Sequence, residues 1–249
     1  AFVIDENIRT MLVEEDPSCS EIIKPFLVGR DIRRYQEPKS NKYLIFTRRG
    51  IEIENYPSIL NYLGRFKTQL MPRPRDFNGH WEGRKPGSYC WFEIQDAVDY
   101  YQEFEKNKII WPGISSEITA FTFDRQGFFG NDNNQIIITD ELFLLAILNS
   151  TVSKFFLSNI CDFVRGGFVR LKISYVQQVP IPPVSENQKT SLESLVTNIF
   201  YAKKADHLAD IYPIEKEIDH LIYELYGLTK EEIRIVEGEC IGNISLRLE

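Results

Sequence analysis

Arginine and lysine residues are concentrated in three parts of this chain, residues 24–50, 65–85 and 165–172, each of which also contains glycine or proline. Within the first part, the segment GRDIRRY holds Arg30, Arg33 and Arg34 around one acid. Such side chains hydrogen-bond guanine in the major groove and neutralise phosphates. The residues outside GRDIRRY that we predict to contact a nucleic acid are Arg48, Arg49, Arg73, Arg75, Arg84, Arg165, Arg170 and Lys172.

The charge of the chain is segregated, although its formal net value is −7. Residues 24–50 hold eight Lys/Arg against two acids, and residues 65–85 hold six against two. Residues 186–249 reverse this balance, with seven against thirteen. A phosphate backbone would be attracted to the first two segments and repelled by the third. The alternative for each basic cluster is a solvated face or a set of structural salt-bridge partners.

Catalytic chemistry has little support in the sequence. The phosphate-binding, zinc-protease and nucleophile-elbow motifs are all absent. Glu37 and Lys39, with Asp31 upstream, form the only pattern similar to a metal-dependent nuclease, but Pro38 suits a turn better than a catalytic strand. The histidines are isolated, and the four cysteines lack a C-x-x-C spacing. We therefore predict no catalytic residue and no metal site, and a structural role for Gly29 and Asp31.

The surroundings of the protein follow from the same composition. Four scattered cysteines suit a reducing cytoplasm, where we expect the protein to reside. No apolar run approaches the roughly 20 residues of a membrane span, so no membrane partner is expected. The first residues, AFVIDENIRT, lack both an initiator Met and the pattern of a signal peptide. We expect the chain to be a piece of a longer polypeptide.

Periodicity predicts a mixed α/β (α+β) fold in the first 183 residues. Residues 57–70 carry apolar side chains near helical spacing, and residues 71–93 are rich in Pro, Gly and Arg, which favours an ordered loop. Helices are also predicted at 95–106, 140–150 and 151–161. Strands are predicted at 42–47 and 106–115 and in a hairpin formed by 120–124 and 134–139. The segment 165–183 is predicted to contain a glycine pair, a basic strand and a proline-rich exit.

The best boundary in the sequence is the proline-rich stretch Pro180–Pro183. It separates a predicted target-binding body, residues 1–183, from an acidic helical segment, residues 184–249. Helices are predicted there at 188–204, 213–226 and 228–238, with Gly227 ending the second. Their apolar stripes would pack either on the body or on a neighbouring domain.

Five segments occur in an order that resembles a known family. They are IIKPFLVGRDIRRY (22–35), YLIFTRRGIEIENYPSILNYLGRFKTQL (43–70), KIIWPGIS (108–115), LLAILNS (144–150) and RGG…SYVQQVPIPP (165–183). This order is similar to the TaqI-like C-terminal specificity domain of type IIG (Eco57I-like) restriction–modification enzymes. LLAILNS followed by VPIPP also resembles type I specificity subunits. Residues 214–238 are similar to the end of such proteins, whereas we expect residues 239–249 to form a peripheral end.

The resemblance implies a target recognition domain that reads double-stranded DNA. It also implies an adenine methyltransferase domain upstream in the same bacterial polypeptide, and often a nuclease domain before that. S-adenosylmethionine and Mg²⁺ would be bound there, with no cofactor in this chain. Such methyltransferases flip the target base, so the recognition domain must hold the duplex meanwhile. Arg30, Arg33 and Arg34 would then mix phosphate contacts with internal supports. The alternatives are a protein-interaction or scaffold domain without DNA specificity and an independent enzyme.

Overall fold

Short strands alternate with helices along the chain. In this computed structural model, residues 1–238 are described, so the expected peripheral end at 239–249 lies outside the described residues. The strands are β1 (Val3–Asp5), β2 (Ile23–Leu27), β3 (Lys42–Ile45), β4 (Lys108–Pro112), β5 (Ile114–Ser115), β6 (Thr122–Asp124), β7 (Phe129–Gly130), β8 (Asn134–Ile138), β9 (Asp162–Val164) and β10 (Phe168–Arg170).

The helices are mostly short in the first half of the chain and longer in the second. They are α1 (Glu6–Glu15), α2 (Pro57–Gly64), α3 (Lys67–Leu70), α4 (Leu142–Asn149), α5 (Thr151–Ile160), α6 (Ile173–Val176), α7 (Glu186–Ala205), α8 (Tyr212–Tyr226) and α9 (Lys230–Val236). Helix and strand content together confirm the predicted mixed α/β class.

The chain divides into two units. The first contains residues 1–27, 40–105 and 127–129, and the second contains residues 28–39 and 106–126 and the chain from residue 130 onward. In the first unit, β1, β3 and β2 are neighbours in one antiparallel sheet, with β7 at its edge. Buried residues from α1, β2, β3 and α2 form its core, among them Leu12, Ile45, Ile59 and Leu63.

The second unit contains two three-stranded sheets, β6-β4-β8 and β5-β10-β9. Every residue of β4 is buried, and Trp111 is fully enclosed. The chain changes sheet at Gly113, where a Cβ atom would lie 2.9 Å from the carbonyl oxygen of Asn133. Trp111 Nε1 donates a hydrogen bond to the Leu171 carbonyl at 2.9 Å, and Leu171 N donates to Gly113 O at 2.9 Å. These contacts fix the residue that follows β10 relative to β4.

The C-terminal helices share one hydrophobic core with the rest of the second unit. Leu192 and Val196 of α7 and Ile218 of α8 are buried in the same cluster as Trp111 and Leu145. Of the two alternatives for their apolar stripes, packing on the body is observed for α7 and α8, whereas no residue of α9 is buried. The boundary predicted at residue 183 therefore does not coincide with a division between the two units.

Two local predictions are wrong. The strands at 120–124 and 134–139 do not pair with each other, because the apolar strand β4 lies between β6 and β8 and pairs with both. The helix predicted over 95–106 is reduced to a 3₁₀ turn at Tyr101–Glu105. Tyr101 stacks near Phe46 and Phe104 near Phe129, at 5.4 Å and 5.1 Å between ring centroids. These aromatic contacts outweigh the helix propensity of the segment, so a full helix does not form.

Helices α4 and α5 follow each other directly, and all but one of the eight residues of α4 are buried. Within residues 1–238, no single helix is long and apolar enough to cross a membrane, and α4 with α5 reaches that length and apolarity only as a pair bent by 60°. Ser150 separates them, because its hydroxyl caps α5 by accepting a hydrogen bond from Ser153 N.

Candidate nucleic-acid interface

A tight turn presents the first arginine cluster in the second unit. Val28 N donates to the Asp31 carboxylate at 3.1 Å, and Asp31 N donates to Val28 O at 2.8 Å. A Cβ atom on Gly29 would lie 3.3 Å from side-chain atoms of Pro112 and Asn133, so a larger residue would crowd the turn. The structural role predicted for Gly29 and Asp31 is confirmed, and the turn leaves Arg30 exposed.

Arg33 and Arg34 have opposite environments despite being neighbours. Arg33 is exposed, whereas Arg34 is half-buried and forms an ion pair with Glu215 of α8. Arg34 Nη2 also donates to the Asn149 carbonyl at 2.7 Å, and the guanidinium lies 4.8 Å from the Tyr35 ring centroid. Arg34 is therefore an internal support, which leaves Arg30 and Arg33 as the accessible cations of GRDIRRY.

Asn149, the penultimate residue of the segment LLAILNS, has a structural role. Its side chain accepts a hydrogen bond from Phe121 N at 3.2 Å and donates to Phe121 O at 3.0 Å. These hydrogen bonds join the end of α4 to Phe121, the residue before β6. The main-chain carbonyl of Asn149 also accepts the hydrogen bond from Arg34 Nη2. The segment LLAILNS therefore has a structural role, which includes holding the Arg34 side chain.

Arg30 and Arg33 line two grooves in the second unit. The first groove, of about 400 Å³, has Ile114 and Phe168 on its lining. The second groove, of about 310 Å³, is also lined by Lys39 and by the residues Lys203, Lys204 and His207 at the end of α7. Sequence reasoning missed the two lysines because the acidic average of the C-terminal segment hid an adjacent Lys-Lys pair at a helix end.

The β9–β10 hairpin carries the second basic cluster of this unit. Gly166 and Gly167 form its tip with φ values of +92° and +79°, which other residues rarely adopt. Arg165 is exposed beside them, Lys172 is exposed after β10, and Arg170 is half-buried in β10. Arg170 is paired across the ladder with Ile114 of β5, which lines the first groove. The structure thus brings positions 30–33 and 168–170 of the sequence to one surface.

In the first unit, Arg84 organises the loop 71–93. Its guanidinium donates to the carbonyls of Leu70, Cys90, Trp91 and Glu93 at 2.7–3.1 Å. It also lies 4.4 Å from the centroid of the Tyr89 ring. The predicted ordered loop is confirmed, with Arg84 as its internal support.

The other predicted arginines of the first unit remain accessible. Arg73 and Arg75 are exposed in the loop that Arg84 holds, and Arg73 N donates to Arg84 O at 3.0 Å. Arg48 and Arg49 are exposed after β3, and Arg49 Nη2 donates to Gln95 O at 2.6 Å. These four residues form an accessible basic set on the first unit.

The nuclease-like residues Asp31, Glu37 and Lys39 line the second groove together. The carboxylate of Asp31, however, already accepts the backbone hydrogen bond that closes the arginine turn. Among the residues that the structure describes, no group of three or more His, Cys, Asp or Glu side chains could hold a metal ion.

Two type II methyltransferases are similar in sequence to this chain. The chain is 24% identical over 241 residues to the type II methyltransferase M.MjaIV of Methanocaldococcus jannaschii, covering 89% of this chain and 73% of that protein. It is 21% identical to the type II methyltransferase M.BstVI of Geobacillus stearothermophilus, covering 87% of this chain but only 36% of that protein.

A solved structure has a similar fold. The type IIL restriction–modification enzyme MmeI, whose structure was determined in complex with DNA, matches 95% of this chain with a TM-score of 0.65 at 15% identity. The match spans 32% of the MmeI chain. The profile of the TaqI-like C-terminal specificity domain matches residues 24–181, which is more than half of the chain. The chain therefore belongs to the family of TaqI-like C-terminal specificity domains.

Proposed function

We propose that this chain recognises a specific sequence in double-stranded DNA on behalf of a restriction–modification enzyme. The observation that carries the proposal is a groove lined both by Arg30 and Arg33 and by two apolar residues, Ile114 of β5 and Phe168 of β10. Arginines supply phosphate contacts and guanine contacts, and apolar groups discriminate the thymine methyl. A surface with both chemistries suits sequence reading, which is the task that the family name describes.

Nine of the cations predicted from the sequence are the proposed DNA contacts. In the second unit they are Arg30, Arg33, Arg165, Arg170 and Lys172, and in the first unit they are Arg48, Arg49, Arg73 and Arg75. Arg34 and Arg84 support them, because their guanidinium groups are occupied by internal acceptors. The acids of the C-terminal helices would repel phosphates, whereas Lys203 and Lys204 of α7 line the groove of Arg30 and Arg33.

The chemistry of the enzyme is proposed to reside in other domains of the same polypeptide. The chain spans about a third of M.BstVI and of MmeI, which leaves room in such proteins for an adenine methyltransferase domain and a nuclease domain. S-adenosylmethionine and Mg²⁺ would be bound there. The proposed role of this chain is to hold the duplex in register, with no reaction step of its own.

Selection from a pool of random duplexes tests the proposal. The 249-residue chain is incubated with the pool at about 50 mM salt, where phosphate contacts are strong. Bound duplexes are sequenced, and the affinity of the winners is measured as salt is raised. One enriched motif with affinity that falls steeply with salt is expected. The absence of binding would favour the protein-interaction alternative.

A further inference from the structure

We propose that one face of the β5–β10 pair reads base edges in the major groove, with Phe168 and Ile114 as the apolar contacts. This inference rests on the proposed function and deepens it, because it assigns base discrimination to one face and phosphate binding to the arginines around it. The antiparallel register places Ile114 opposite Arg170. Phe168 is two residues before Arg170 on the same strand, so all three side chains share a face.

That face is exposed although it is apolar. Phe168 and Ile114 are each 44% exposed, and neither belongs to the buried core of the second unit within residues 1–238. Strand β10 is firmly packed, because Val169, whose side chain lies on its opposite face, is only 1% exposed. Large apolar side chains that a firmly packed strand holds towards solvent are typical of a binding surface.

The charges around the face favour a polyanion as its occupant. Arg30 and Arg33 line the same groove as Phe168, Arg170 lies between the apolar residues, and Arg165 is exposed at the hairpin tip. Asp162 is paired with Arg170 across β9–β10, and its carboxylate accepts a hydrogen bond from the Tyr175 hydroxyl at 2.7 Å. Glu117 also lines the groove. The four arginines still outnumber the two acids, Glu117 and Asp162, on this surface, which favours duplex DNA.

The dimensions of the element also fit. Neighbouring strands lie about 4.8 Å apart, so the backbone of the three-stranded sheet β5-β10-β9 spans about 10 Å. The major groove of B-DNA is about 12 Å wide. The tip of the β9–β10 hairpin has little bulk, because Gly166 and Gly167 carry no side chains, and the space around Gly167 is open. In this groove the thymine methyl is exposed, and an aromatic or aliphatic side chain discriminates it from cytosine. Phe168 and Ile114 are proposed to make such contacts.

The hairpin supplies its own control. Phe163 of β9 is paired with Val169, so it belongs to the face opposite Phe168, and it is 59% exposed. Phe168→Ala and Phe163→Ala therefore remove the same exposed ring from the two faces of one ribbon. Both variants should keep the wild-type unfolding transition, since neither ring is buried.

The experiment measures the affinity of each variant for the selected motif and for a set of duplexes that each carry one changed base pair. Phe168→Ala is expected to lose roughly five- to a hundredfold of discrimination at one or two adjacent positions and to keep it elsewhere. Phe163→Ala should keep the wild-type discrimination at every position. Arg30→Ala and Arg33→Ala should weaken binding to all the duplexes alike.

Three results would overturn the assignment of base reading to this face. They are unchanged discrimination in Phe168→Ala, an equal loss of affinity for every duplex in that variant, and the same positional loss in Phe163→Ala. Each of them leaves the proposed function standing, because the wild-type chain would still select a motif. Failure of the wild-type chain to enrich any motif is the distinct result that removes the proposed function and this inference together.

Discussion

Lys108 and Asp124 form a fully buried ion pair across β4 and β6. The Lys108 Nζ and Asp124 Oδ2 atoms are 2.6 Å apart, and both side chains have 0% exposure. Their positions are directly paired in the antiparallel register. Asp124 Oδ1 also accepts a hydrogen bond from Gln126 N at 2.8 Å. Burial lowers the pKa of Lys108, and the Asp124 carboxylate opposes that shift.

Breaking this pair on one side should be costly. Asp124→Leu leaves the Lys108 ammonium buried without its counter-charge, and we expect the free energy of unfolding to fall by about 3–5 kcal/mol. The double variant Lys108→Met/Asp124→Leu should recover most of that loss, since well-packed apolar residues often replace a buried pair without penalty. Urea denaturation of the three proteins measures both effects. A loss below about 1 kcal/mol in Asp124→Leu would show that water or other groups compensate the charge.

Arg33 and Arg34 should separate binding from stability. Arg33→Ala is expected to reduce the slope of log affinity against log salt by about one and to leave the unfolding transition unchanged, because its side chain is exposed. Arg34→Ala should instead destabilise the chain by about 1–3 kcal/mol, because Glu215 and the Asn149 carbonyl lose their donor. Salt titrations of DNA binding and urea denaturation test the pair. Equal salt slopes in the wild type and Arg33→Ala would remove Arg33 from the DNA contacts.

Arg84→Lys should loosen the loop 71–93 although it keeps the positive charge. One ammonium cannot reach the four carbonyls that the guanidinium fork holds, so some of them lose their donor. Limited chymotrypsin digestion should then cut faster within the loop, where Phe77 is 37% exposed. Arg49→Lys is the matched control, because its side chain donates to a single carbonyl, that of Gln95. Equal cleavage rates in both variants would contradict the role of Arg84 as the support of the loop.

The cysteines should differ sharply in reactivity. Burial, together with the charge of Asp162, raises the pKa of Cys161 to about 11, and Cys19 is also buried with a raised pKa. Cys90 is exposed. In a Cys240→Ser background, iodoacetamide at pH 8 should modify Cys90 first and reach the other two only after unfolding. Peptide mass spectrometry measures the order, and equally fast labelling of Cys161 would show that its site opens readily.

The N-terminus of α9 should weaken in acid. Thr229 N and Oγ1 donate to the Glu232 carboxylate at 2.8 Å and 2.9 Å, and these hydrogen bonds lower the pKa of Glu232 from its ordinary value of 4.5. The folded pKa lies below the unfolded one, so the stabilisation is complete above about pH 4.5 and is lost as pH falls through the folded value. A carboxyl NMR titration of the wild type and Thr229→Ala tests this. The Thr229 backbone donor remains in that variant, so a partial rise of the Glu232 pKa is expected, and an unchanged pKa would assign the shift to the backbone hydrogen bond alone.

Local sequence patterns predicted the elements whose stability is local. Gly227 after α8 marks a helix end that the structure confirms, at φ +66°, and the helix predicted over 188–204 is observed as Glu186–Ala205. The partners of β6 and β8 could not be predicted in the same way. Sequence proximity favoured a hairpin, whereas the buried strand β4 offers each of them more apolar surface.

The candidate site was predictable as composition but not as geometry. Clusters of arginine stand out in the sequence, yet nothing local distinguishes Arg33, which faces solvent, from Arg34, which is held by a residue 181 positions away. The same holds for Arg84, whose acceptors are main-chain carbonyls without a sequence signature. The exposed face of Ile114 and Phe168 required the strand register, because two such residues in separate short strands read as ordinary core positions.

The two units alternate along the chain, and this alternation limits where two homologous chains can be recombined. The chain passes from one unit to the other five times, after residues 27, 39, 105, 126 and 129. A crossover between two homologous genes inside this region would therefore give a chimera in which at least one core mixes side chains from both parents. Natural or engineered exchange of specificity should succeed when both units move together as one undivided cassette, and should yield insoluble protein when the junction falls between residues 27 and 129.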